Sequence, residues 1–223
     1  RGYTQTHQDP ALQGGIDIEH SSGFYAGAWA SNISWVREEG WMAYKNGGSV
    51  ELDLYAGYAS EIGETGVSYD VGILQYLYPG EVNAGFAKAN TTEVHASLGY
   101  GWLDAAVHVV TSKDAWTWGG DGRGGPSARG TAYYEVNAEI PVGELVGHKF
   151  LSGVTGNLHY GYQNFVGSND VYNNNADSYA DWKVGFNKSF DNGVDIGYYY
   201  TGTDTRRGQG FWSERTGTYL GDP

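Results

Sequence analysis

In Val50-Glu51-Leu52-Asp53-Leu54-Tyr55-Ala56-Gly57-Tyr58-Ala59 two kinds of residue alternate. Val50, Leu52, Leu54, Ala56 and Tyr58 fall on one parity and Glu51, Asp53, Tyr55 and Gly57 on the other, the two-residue period of a β-strand whose faces meet different surroundings. Roughly ten such segments follow one another between about residues 11 and 201, each bounded by Gly, Asn, Asp, Ser or Pro. No helical or continuously apolar segment is available to cover them. A single sheet that long must curl and close, so its apolar face either fills the interior or meets lipid.

Strands are expected near 11–20, 24–35, 50–59, 67–78, 92–102, 104–112, 131–140, 154–163, 179–190 and 194–201. Short turns fall at 21–23, 102–103 and 191–193, and Asn192-Gly193 carries a type I′ hairpin signal. Long polar connections occupy 36–49, 79–91, 113–130, 164–178 and 202 onward, with medium links at 60–66 and 141–153. Alternation of short and long connections is the mark of an up-and-down barrel with short turns at one rim and long loops at the other. Arg1–Thr6 reads as the tail of a further strand, which gives eleven. Bacterial single-chain barrels prefer even counts, so residues 206–223 read as an outer loop leading to a missing last strand. The expectation is an all-β, antiparallel up-and-down transmembrane β-barrel, a single domain over 1–223, with about 12 strands in the full protein and about 10–11 in this chain. Arg1 opens the chain without a signal peptide, which reads as a mature or trimmed chain.

Composition supports that reading. The 223 residues include 19 Tyr, 8 Trp and 36 Gly but only one Met, whereas a soluble core is built mostly from branched aliphatics. A wall one residue thick, with small residues inside and amphipathic rings near a lipid–water boundary, uses such a mixture. The mean hydropathy of -0.48 is compatible with a membrane, because half of each barrel strand faces water. A net charge of -13 argues against nucleic acid as a partner. The chain has no cysteine, hence no disulfide framework and no thiolate site, and no apolar run long enough for a spanning helix.

The blocks Arg1-Gly2-Tyr3-Thr4-Gln5-Thr6, Asp9-Pro10-Ala11-Leu12-Gln13-Gly14-Gly15-Ile16-Asp17, Ser22 to Asn32, Glu51-Leu52-Asp53-Leu54-Tyr55, and Tyr69-Asp70-Val71-Gly72-Ile73 with Tyr76-Leu77-Tyr78-Pro79-Gly80 resemble the TorF family of porins. The resemblance implies an outer-membrane β-barrel of a Gram-negative bacterium, acting as a channel, and brings no catalytic motif. Members usually end in an aromatic residue, whereas this sequence ends at Asp222-Pro223.

With the apolar parity outward, Asp17, Glu19, Glu51, Asp53, Asp70, Glu93, His95, His108, Glu135, Glu139, His159, Asp181, Lys183 and Asp195 are expected to face the lumen. Many carboxylates and a single Lys inside a low-dielectric wall would concentrate cations. Passive, cation-favouring diffusion of small solutes is the first expectation. The alternative is a structural or interaction barrel, its lumen plugged by its own side chains and its long loops contacting other envelope proteins or copies of itself. Trp35, Trp102, Tyr100, Tyr160, Tyr162, Tyr198 and Tyr200 are expected in interfacial aromatic girdles against outer-membrane lipids, together with Trp41, Tyr76, Tyr78, Trp116 and Trp118. Trp29 has no clear orientation.

His95, His108 and His159 share the inward parity with carboxylates, but no HxH or HxxH pair is present and no metal site is assigned. The Asp- and Asn-rich stretch 168–177 offers hard oxygen ligands that could hold Ca²⁺, although its spacing is not that of an EF-hand and a solvated loop is the plainer reading. The Gly-rich segment Trp116 to Gly125 could enter the lumen as a constriction, present aromatics to a partner, or simply move. GxSxG, HExxH and phosphate-loop elements are absent, so no enzyme is expected.

Overall fold

In the computed structural model, residues 1, 4–7, 9–37, 42–119, 125–167 and 178–204 are described. The alternating segments form ten long strands: β1 (Gln13–Glu19), β2 (Phe24–Asn32), β3 (Val50–Glu61), β4 (Val67–Leu77), β5 (Thr91–Tyr100), β6 (Leu103–Val110), β7 (Ala132–Ile140), β8 (Val154–Asn164), β9 (Tyr179–Ser189) and β10 (Asp195–Thr203). Each pairs antiparallel with its neighbour in the chain, so the order in the sheet is the order in the sequence. This is an up-and-down sheet. Among the described residues β1 and β10 are its two edges and are not joined to each other.

All ten expected strands are present, and the connections keep the expected asymmetry except at 141–153, which at 13 residues is as long as 78–90 on the other side. The strand ends joined by links 20–23, 62–66, 101–102, 141–153 and 190–194 lie at one rim, and those joined by links 33–49, 78–90, 111–131 and 165–178 at the other. The 141–153 link holds a short helix (Val142–Val146) that folds back over the outward parity, with Val142 beside Gly156. The eleventh strand is a correction: Arg1 and Thr4–His7 lie in no strand, because their polar groups bond to loop and inward-facing side chains instead of to a strand edge. The Asn192-Gly193 turn is a second correction. Only Gly193 has positive φ (82°), Gly193 N–H donates to Phe190 O, and Phe190 N–H donates to Val194 O. That is a three-residue loop with its glycine in the left-handed position, and type I′ would need Asn192 there as well.

Burial follows parity. In β3, Glu51 and Asp53 are 3% and 9% exposed, whereas Val50 and Leu54 are 42% and 43% exposed. Ile16, Ile18, Val71, Ile73, Val94, Leu98, Val136, Leu158, Val184, Phe186 and Ile196 are likewise exposed. The opposite parity is concave. Tyr25 on β2 reaches His95 on β5, although three strand spacings of about 4.8 Å would separate those strands by about 14 Å on a flat sheet. The sheet therefore curls around its polar face.

The buried apolar cluster lies beyond the long-connection rim. Ile33, Trp35, Val36, Ala43, Tyr44, Tyr78 and Ala89 pack together there, beside a small ladder of Tyr44–Gly47 with Gly80–Val82. Tyr44 Oη donates to Tyr78 O (3.1 Å) and accepts from Ala89 N–H (3.1 Å).

Candidate functional site

The concave face begins with glycine. A Cβ on Gly57 would collide with the Tyr25 phenol, on Gly27 with Tyr55, on Gly72 with His95 and on Gly161 with Tyr133. Each glycine lets a ring from the same face lie flat across the neighbouring strand. The rings then reach partners further round the curl.

A belt of hydrogen bonds and ring contacts results. Tyr25 Oη donates to Asp70 Oδ1 (2.9 Å), and His95 Nε2 meets the same carboxylate oxygen. His95 and His108 stand opposite each other in register, ring centroids 5.6 Å apart. His108 Nε2 pairs with Glu135 Oε1 (2.9 Å), whose other oxygen lies 3.5 Å from His159 Nδ1. His159 Nε2 pairs with Asp181 Oδ1 (3.0 Å), and Tyr133 Oη donates to Asp181 Oδ2 (3.0 Å). Tyr55 Oη donates to Asp17, drawing in β1 and β3.

A second group crosses the long-connection mouth. Arg1 gives Nη1 and Nη2 to the two oxygens of Glu93 (2.9 and 2.7 Å) and lies over the rings of Trp116 (5.5 Å) and Tyr133 (4.7 Å). Its carbonyl accepts from Tyr179 Oη (3.0 Å). Tyr76 Oη donates to Glu93 (3.2 Å), and Trp116 packs between Tyr76 and Phe165 at centroid distances of 6.4 and 6.3 Å. Gln5 donates Nε2 to Glu51 (3.2 Å) and accepts from Trp35 Nε1 (3.0 Å), while Tyr78 donates its hydroxyl to Glu51. Burial alone would loosen the Arg1 proton, but the Tyr76 phenol and the Glu93 carboxylate outweigh it and raise the group above its ordinary value. Burial likewise pushes Tyr44 up and Tyr78 well up.

Of the residues picked from the sequence, Glu51, Asp53, Glu93 and Asp181 are buried, and Asp70, His95, His108, Glu135 and His159 are half-buried. Asp17, Glu19, Lys183 and Asp195 are exposed because they sit on or beside the sheet edges, and Glu139 is exposed near the short-turn rim. Lys183 Nζ lies over the Tyr199 ring (5.3 Å). Among the described residues no group of three or more His, Asp or Glu side chains is placed to hold a metal ion. The Asp/Asn-rich stretch 168–177, the tail 206–223, Trp41 and the Trp118 side chain lie outside the described residues.

Tyr100, Trp102, Tyr160, Tyr162, Tyr198 and Tyr200 are exposed, between 40% and 69%. Trp35 is a correction. It is only 5% exposed, held in the loop cluster by its bond to Gln5 and by Tyr78, so it belongs to no girdle. The same holds for Tyr78, which is buried, and for Tyr76 and Trp116, which pack around Arg1 and Glu93 on the concave side. Parity places Trp29 on the concave side with Tyr25, in register with Asp53. Arg1 and Tyr133 carry no site role in the sequence reading; the one signal for Tyr133 is the inward Gly161, whose missing side chain leaves space for the phenol.

The protein is thus an up-and-down antiparallel sheet curled around a carboxylate- and histidine-lined face, with its apolar side chains turned out. The chain belongs to the family described as "Bacterial protein of unknown function (Gcw_chp)", which it matches over residues 1–223. No curated protein matches it in sequence. Three solved structures of Pseudomonas aeruginosa are similar at low identity: the outer membrane protein opdK (13% identity, TM-score 0.44, covering 86% of this chain and 52% of that one), OccK2 (OpdF) in complex with glucuronate (15%, 0.44, 86% and 52%), and OprD (11%, 0.44, 91% and 58%). The chain thus spans about half the length of these structures.

Proposed function

We propose that this chain forms a porin-like β-barrel in the outer membrane of a Gram-negative bacterium and passes small solutes, cations in preference to anions, without catalysis. The observation that carries this is the division of the sheet's two faces. Large apolar side chains stay exposed on one parity across the sheet, while the other parity buries carboxylates in hydrogen-bonded networks. A soluble protein rarely exposes so extended an apolar surface, whereas lipid covers it at no cost. The resemblance of the N-terminal blocks to TorF-family porins supports the same reading. Cation preference is supported by carboxylates outnumbering Lys and Arg on the inward parity. Outer-membrane lipids and small solutes are the partners this reading requires.

A second reading is a structural or interaction barrel with an occupied lumen, favoured by Arg1, Gln5 and Trp116 crossing the mouth. Planar-bilayer recordings of the purified protein across a KCl gradient separate the two. Discrete conductance with a reversal potential on the cation side is expected, and a silent or anion-preferring barrel defeats the channel.

A further inference from the structure

Asp53 lies deep in the mouth, nine-tenths buried, and its Oδ1 meets no hydrogen-bond donor among the described residues. A buried carboxylate oxygen without a donor is costly. The donors that reach the neighbouring carboxylates are taken up by them. Glu51 takes the Tyr78 hydroxyl and the Gln5 amide, and Glu93 takes both Arg1 nitrogens and the Tyr76 hydroxyl. Of the three carboxylates Glu51, Asp53 and Glu93, Asp53 is the one whose buried oxygen is left without a donor among the described residues.

Register supplies the rest of the site. Asp53 stands opposite Trp29 on β2 and Tyr76 on β4, all on the concave parity, so an aromatic side chain flanks it on each side. A carboxylate between two rings suits an ammonium group, which donates to the oxygen and is attracted by the π faces. It suits a metal ion poorly, since hard cations need several oxygen ligands and no three-residue acidic or histidine group is placed for one among the described residues. Because Asp53 is fourth in β3, just inside the long-connection rim, a solute would meet it on entering.

We propose that Asp53, with Trp29 and Tyr76, forms an entry site for the ammonium group of small primary amines. This rests on the channel reading for its place in transport, though binding itself does not require conduction. A primary ammonium has N–H groups to donate to Oδ1, whereas a quaternary nitrogen has none.

The test is saturation-transfer NMR on the methyl protons of methylammonium chloride, with the whole protein in detergent micelles and tetramethylammonium as control. Saturable transfer is expected for methylammonium and none for tetramethylammonium, with affinity falling about tenfold or more in D53N, the loss of one charge-assisted contact. Trp29→Leu, which keeps the carboxylate, is expected to weaken binding severalfold, and it reads the site should D53N fail to fold. No saturable transfer to wild type, or equal binding by W29L and D53N to wild type, overturns the site. So does an infrared band of a protonated carboxyl at neutral pH that vanishes in D53N, because a proton would then answer the charge. Methylammonium binding by a non-conducting barrel defeats the porin reading alone, and conduction without binding defeats this inference alone.

Discussion

The Tyr25 ring lies across Gly57 on the next strand, filling the space a side chain would take, and from there its hydroxyl reaches Asp70 and His95 two and three strands away. Gly57→Ala puts a methyl into the phenol and 2.7 Å from the backbone Val71 O, which cannot swing aside. A loss of about 1–3 kcal/mol is expected, the usual cost of overpacking. Urea unfolding in detergent, followed by heat-modifiable gel mobility, reads it. Tyr25→Phe keeps the ring, drops the bond to Asp70 and should cost only about 1 kcal/mol. In the Tyr25→Ala, Gly57→Ala double variant the phenol clash disappears, so the two losses should be less than additive.

The Arg1–Glu93 pair spans the mouth with Glu93 almost wholly buried. Glu93→Ala strands the guanidinium among aromatic rings, and breaking one side of a buried pair typically costs about 3–5 kcal/mol. Arg1→Ala strands the buried Glu93 carboxylate at a similar cost and has a second readout. It releases the Trp116 and Tyr133 contacts and leaves negative charge uncovered at the mouth, so single-channel conductance and cation preference should both rise. Unchanged unitary conductance in Arg1→Ala would show that the pair does not constrict the path.

The ten strands were legible because a two-faced sheet writes its period directly into the order of residues, as in Val50 to Tyr58. The belt was half legible. Parity put Asp70, His95, His108, Glu135, His159 and Asp181 on one face, but only curvature brings Tyr25 to His95, and curvature leaves no periodic mark. The mouth was the least legible part. Trp35, Tyr76, Tyr78 and Trp116 look like girdle aromatics because a ring near a strand end carries the same sequence signal whether it meets lipid or packs under a loop. Arg1 reads as a strand tail because a short polar segment that lies along the concave face outside any strand has no pattern of its own.

Alkaline titration probes the loop cluster. Burial raises the phenols of Tyr44 and Tyr78 above the ordinary value, Tyr78 the more strongly. A group whose folded pKa exceeds its unfolded one contributes stability in full below the unfolded value, about 10 for a phenol, and loses it as the pH rises toward the folded value. Phenolate absorbance from these two should therefore appear late, with unfolding of the long-connection rim. Tyr78→Phe should remove part of that alkaline loss and, by leaving a Glu51 oxygen without its donor, cost about 1–3 kcal/mol at neutral pH. If the wild-type absorbance rises in one step near pH 10 with the protein still folded, the cluster is not closed to solvent.

Val136 sits mid-strand in β7 on the outward parity, 52% exposed, and its neighbour Asn137 faces the belt, bonded to His159 (2.7 Å). Were the outward face wetted by water, Val136→Arg would be a surface change worth within about 0.5 kcal/mol. Against hydrocarbon the same guanidinium costs about 2–4 kcal/mol near the bilayer midplane and progressively less toward either interface. Leu103→Arg at the short-turn rim should accordingly be milder than Val136→Arg, and a graded series from Leu103 through Val136 to Tyr134 would trace the depth of the apolar band. Refolding into phospholipid vesicles, read by urea midpoints, measures each step. Equal, small effects at all three positions would mean that this face is not in lipid, and the channel would lose its wall.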